Sequence, residues 1–126
     1  MDDIHSYVGY AIPVGFGVLV VLSIVVYLRN REPNALYWNV LAALQVIIGV
    51  QFLIGIVLLV SGAQPASNGP TWLHYVYGVA FPALVLAIAH VQARKRPGAE
   101  AAIFGVAAFL CCFATLRALQ TGLGID

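Results

Sequence analysis

The chain has 126 residues, 62% of them hydrophobic and 9% charged, with a net charge of +1. A soluble domain carries about 25% charged residues, so this composition cannot cover a water-facing surface, whereas a bilayer core accepts apolar side chains on the outside of a fold. The small charge, with basic residues in short clusters and not along a stripe, also excludes an electrostatic nucleic-acid binder.

The chain starts Met-Asp-Asp-Ile-His. A secretory signal begins with a positive region, so the first apolar segment is read as a retained helix. Four apolar segments follow one another, about 6–28, 37–60, 71–91 and 99–119. Each is roughly 20 residues, the length a helix needs to cross about 30 Å of hydrocarbon. Lipid cannot satisfy open backbone, so all four are expected as helices. The predicted architecture is all-α: one integral membrane domain over 1–126, a four-transmembrane-helix antiparallel bundle.

The first connection, Arg29-Asn30-Arg31-Glu32-Pro33-Asn34, and the third, Arg94-Lys95-Arg96-Pro97-Gly98, are basic. The second, from Ser61 to Pro70, has no charge. The positive-inside rule predicts loops one and three in the cytoplasm of a cell membrane and both termini outside. Asp2, Asp3 and Asp126 agree with that orientation. Tyr37 and Trp38 at one end, and Trp72, Tyr75 and Tyr77 at the other, fit interfacial aromatic belts.

A repeat divides the chain into two helical hairpins. Residues 5–13 read HSYVGYAIP and residues 74–82 read HYVYGVAFP, sharing H-x-x-x-G-x-A-x-P. The pattern pairs His5 with His74, Gly9 with Gly78 and Pro13 with Pro82. Helices two and four also end alike, at Ser61-Gly62 and Thr121-Gly122. Helices one and three run parallel, so both histidines lie in early turns at nearly the same depth. The four-residue spacing puts histidine, glycine and proline on one face. With the two helices diagonal in the bundle, the imidazoles can face each other across its interior. That arrangement suits a haem with one axial histidine on each side. Gly9 and Gly78 then leave room for the macrocycle. Pro13 and Pro82 withhold donors from the carbonyls of Gly9 and Gly78, predicting matched kinks.

Other polar residues in the spans carry less specific expectations. His90 lies 16 residues, about 24 Å, beyond His74 and cannot share its metal. Its repeat partner is Val21, so it is read as an interfacial residue beside the basic cluster. Arg117 is a candidate partner for a haem propionate, with a snorkelling arginine as the alternative. Gln45 and Gln51 are expected in interhelical hydrogen bonds, with Gln51 placed to reach a cofactor or quinone. Cys111 and Cys112, adjacent and mid-helix, read as small apolar residues.

The stretch Leu44-Gln45-Val46-Ile47-Ile48-Gly49, the run ending in Ser61-Gly62, and Pro70-Thr71-Trp72-Leu73-His74 resemble the haem A synthase family. That family is built from two four-helix halves, each like a b-type cytochrome bundle. The resemblance implies that His74 and His5 are axial ligands of a haem b. The family's enzymes also carry an essential acidic residue near a ligand histidine. Here no span interior holds Asp or Glu, so the resemblance implies haem binding more than hydroxylation.

The expected function is therefore that of a small b-type membrane cytochrome, for electron transfer or haem handling with a respiratory oxidase or the quinone pool as partner. The alternatives are a half-sized haem A synthase-like enzyme acting as a homodimer, and a cofactor-free accessory subunit of a membrane complex.

Overall fold

The computed structural model describes residues 2–66 and 69–125. Asp126 and the side chain of Asp2, both used in the charge argument, lie outside that description, as do Ser67 and Asn68 of the second connection. Four long helices make up the fold: α1 (Asp2–Leu28), α2 (Ala35–Val60), α3 (Trp72–Lys95) and α4 (Glu100–Leu123). All four are long and apolar enough to cross a bilayer, and the described residues contain no strand. The protein is an all-α, four-helix, multi-pass membrane protein.

Local chemistry fixes the helix ends. Asn34, just after Pro33, starts α2, its Oδ1 accepting from the Tyr37 amide at 3.1 Å. Glu100 opens α4 with its carboxylate accepting from the Gly98 amide at 3.0 and 3.1 Å. Gly124 closes α4 in the left-handed region, at φ 74°.

Large apolar residues such as Val14, Val18, Leu53, Leu84, Phe109 and Phe113 are exposed. In lipid this is no penalty, and helix association depends on close packing and interhelical hydrogen bonds. The core follows that logic. Helix α4 presents Ala107, Ala108, Cys111, Ala114, Thr115 and Ala118 as a buried small-residue face, against which α1 packs along its length. Phe16, Leu19 and Phe104 fill the centre. Ser23 Oγ and the Tyr37 hydroxyl lie 2.7 Å apart and hydrogen-bond in the buried interior. A Cβ at Gly15 would run into the Leu44 side chain, and one at Gly105 would come within 2.9 Å of Ser23 Cβ. Both glycines allow the helices to approach.

Helix α1 packs on α2 and α4, and α3 packs on α4, but α2 and α3 share no extensive packing. The buried residues of α2 (Tyr37, Leu41 and Leu44) all lie in its first half. At that end, which carries the basic connections, His90 of α3 meets Gln45 of α2. Toward the other end the two helices leave a gap. Thus α1 and α3 are diagonal, the arrangement that lets the paired histidines face each other.

The helices are longer than the apolar runs, because α3 continues to Lys95 and α4 to Leu123. The expected symmetry of the prolines is also broken. Helix α3 has a π-helical turn over Val76–Ala80, separated from Pro82 by Phe81 alone, whereas α1 runs as α-helix through Pro13. Pro82 has no N–H for the Gly78 carbonyl, and the widened turn is where α3 absorbs that loss. Such single π turns often accompany functional sites.

Candidate cofactor site

His5 and His74 come together at the end of the bundle opposite the basic connections. Their ring centroids are 6.1 Å apart, with the planes inclined at 61°. Two nitrogens bound to one metal at about 2 Å each stand about 4 Å apart, and this centroid separation is compatible with that spacing.

His74 is held firmly by α4. Its Nδ1 lies 2.9 Å from the Ala118 carbonyl and 3.1 Å from Thr121 Oγ1. A carbonyl only accepts, so Nδ1 carries the proton and donates. The Thr121 hydroxyl spends its own hydrogen on the same carbonyl, at 2.9 Å, so its oxygen also accepts from Nδ1. In the neutral ring the remaining lone pair is on Nε2, the tautomer in which an imidazole ligates a metal while its other nitrogen is anchored. Gly122 makes this fit: a Cβ there would stand 2.9 Å from His74 Cε1 and 3.4 Å from Nδ1.

His5 is positioned through α2. Gln51 Nε2 donates to the His5 backbone carbonyl at 2.8 Å, which ties the first turns of α1 to the middle of α2. One helical turn along α2, a Cβ on Gly55 would lie 3.6 Å from His5 Cε1.

Both imidazoles line a cavity of about 690 Å³ in the gap between α2 and α3, within the usual range for small-molecule and cofactor sites. Gly9, Gly78, Gly55 and Gly122 are also on its wall. Gly9 faces Leu119 and Gln51, and Gly78 faces Ala118, at ordinary contact distance for an added Cβ. Residues Ala63 to Ala66 of the second connection close one side. The described wall residues include no Asp, Glu, Lys or Arg.

Arg117 is not among the cavity residues. Its Nη1 donates to Gln120 Oε1 at 3.4 Å, one turn along α4, on a different side of the helix from the Ala118–Gly122 face that holds His74. His90, near the basic end of α3, makes a contact that the sequence does not indicate. Its Nε2 is 2.7 Å from Gln45 Oε1, and its ring meets Phe104 edge-on at 5.0 Å. The two polar groups satisfy each other between α2 and α3. The adjacent cysteines extend the repeat: Cys112 Sγ is 3.4 Å from the Pro13 carbonyl and Cys111 Sγ 3.9 Å from that of Pro82. These are weak S–H donors, each reaching one of the two matched prolines.

The residues that hold His74 were not singled out as site residues in the sequence. Only the Thr121-Gly122 helix ending pointed to them, and it was read as an echo of Ser61-Gly62. Among the described residues, no three His, Cys, Asp or Glu side chains gather where they could hold a metal ion. Two imidazoles fall short of the four ligands of a structural zinc site. They suffice for an iron whose macrocycle brings its own equatorial nitrogens. No family model, curated protein or solved structure matches the chain.

Proposed function

We propose that this protein is a small b-type membrane cytochrome that binds one haem through His5 and His74. The observation that carries the reading is the facing imidazole pair on the wall of a cofactor-sized cavity, with His74 anchored through Nδ1 and its Nε2 lone pair available.

The residues fit the group: the apolar lining suits the faces of a flat macrocycle, and Gly122 makes room for the His74 ring. The described wall carries no lysine or arginine to pair with the propionates. The charge pattern of the connections supports an outer-face position for the end that holds the histidines.

When bound, haem supplies a reversible one-electron change at iron. His5 and His74 would both hold the iron, a ligation that would favour electron transfer over oxygen chemistry. The protein's own part is to fix the imidazoles. Thr121 and the Ala118 carbonyl hold the His74 proton on Nδ1, and hydrogen bonds of that kind raise ligand basicity. Gln51 holds the His5 turn against α2. A respiratory oxidase or the quinone pool is the partner class that suits this role.

The test is to express the protein with excess haem, purify it in detergent and record oxidised and reduced absorption spectra. His5→Ala and His74→Ala variants are measured alongside. Sharp low-spin bands that both substitutions abolish are the expected result. A colourless protein, or colour that survives both substitutions, refutes the reading.

A further inference from the structure

We propose that the part of the cavity between α2 and α3 binds the head of a neutral quinol entering sideways from the bilayer, with Gln51 as its hydrogen-bond acceptor. This goes beyond the haem assignment and does not depend on it.

The first observation is an orphan acceptor. Gln51 Nε2 donates to the His5 carbonyl at 2.8 Å. Because a carbonyl cannot donate, this fixes which end of the amide faces α1. Oε1 is left buried with no donor among the described residues, although the residue stands on the cavity wall. A buried acceptor without a partner costs about 1–3 kcal/mol, and such groups call for a missing partner. The terminal torsion of glutamine is soft, so a small turn presents Oε1 to a ligand. The missing partner must bring a hydroxyl or N–H.

The second observation is the electrostatic character of the wall. Its described residues carry no carboxylate, lysine or arginine, and the only titratable groups among them are His5, His74 and Tyr75. With no carboxylate, lysine or arginine beside Gln51 to balance a charge, a neutral ligand head is favoured there. Most of the lining is aliphatic or aromatic, including Ile48, Phe52, Ile56 and Leu59 of α2.

The third observation is the route. Beyond Leu44, α2 has no buried residue, and it lacks extensive packing with α3. On the side of the second connection, residues Ala63 to Ala66 cover the cavity. The end of α4 braces that cover, for a Cβ at Gly124 would run into the Ala66 carbonyl. The way in is therefore lateral, from lipid. A quinol meets all three conditions: a phenolic hydroxyl is a strong neutral donor, a flat ring slides between two helix faces, and the tail stays among acyl chains.

The experiment uses the full chain in nanodiscs of quinone-free phosphatidylcholine, under argon. Decylubiquinol and its dimethyl ether, which has the same ring and tail but no donor, are titrated by calorimetry. The expected result is that the quinol binds about tenfold more tightly than the ether, and that Gln51→Leu brings the two to equal affinity. Equal affinities in the unaltered protein, no binding of the quinol, or a preference that persists in Gln51→Leu each overturn the proposal. The comparison of two ligands on the unaltered protein stands even if the variant fails to fold. Haem content is read from the absorption spectrum of the same samples, so a failure of the haem reading shows as missing bands and leaves the quinol comparison intact.

Discussion

Gly122→Ala is the sharpest single perturbation of the histidine pair. The added methyl group would stand 2.9 Å from His74 Cε1 and 3.4 Å from Nδ1. Ordinary carbon–carbon contact is about 3.5–4.0 Å, so the ring must move by roughly 0.5–1 Å. The ring cannot make that move and keep both of its hydrogen bonds, at 2.9 and 3.1 Å. Nor can the backbone yield freely, since the neighbouring Thr121 is fully buried. Overpacking costs about 1–3 kcal/mol, and a weakened hydrogen bond to a buried imidazole about 1 kcal/mol. Haem affinity should therefore fall by roughly 30- to 1,000-fold, while the helical fold is retained. The assay is haem titration of the detergent-purified variant, followed at the low-spin absorption bands, with circular dichroism to verify helix content. Gly49→Ala is the matched control, because a Cβ there meets nothing within 4 Å. An unchanged affinity and spectrum in Gly122→Ala would refute the claim that α4 positions His74 as a ligand.

Three further perturbations separate the parts of this architecture. Thr121→Val removes one acceptor from His74 Nδ1–H and makes the imidazole a poorer electron donor; a change of about 1 kcal/mol corresponds to a midpoint potential raised by about 40 mV, measured by redox titration. Arg117→Gln should leave haem affinity within about twofold, because Arg117 is absent from the cavity wall; a tenfold loss would restore it to the propionates. Tyr37→Phe strands the buried Ser23 hydroxyl and should destabilise the bundle by about 1–3 kcal/mol, read as a lowered thermal midpoint in detergent with the haem spectrum unchanged.

The features carried by local pattern were legible in the sequence. The four spans follow from apolar length, and the His5–His74 pairing follows from the H-x-x-x-G-x-A-x-P repeat combined with an antiparallel bundle. What escaped was information held in contacts between distant residues. Nothing local marks Gln45 as the partner of His90, because the two are 45 positions apart and meet only once α2 and α3 converge. Ala118 and Thr121 are ordinary small residues of an apolar helix. Their role depends on which face of α4 turns toward α3. Arg117 was placed by depth along its helix, but depth does not specify azimuth, and the arginine lies on another side. The π turn in α3 escaped for a related reason. Pro13 and Pro82 are locally alike, and only their surroundings distinguish them.

The packing of the first helix on the last has a consequence for biogenesis. Spans enter the membrane in chain order, so α1 waits through the synthesis of α2 and α3 before its main partner arrives. Until then Phe16 and Leu19 have only part of their final contacts, and His74 has neither of the α4 acceptors that orient it. A chain stopped before Glu100 would hold both histidines yet lack the scaffold that aligns them. Alignment of His74 thus waits on α4, the last helix made, which supplies both of its acceptors.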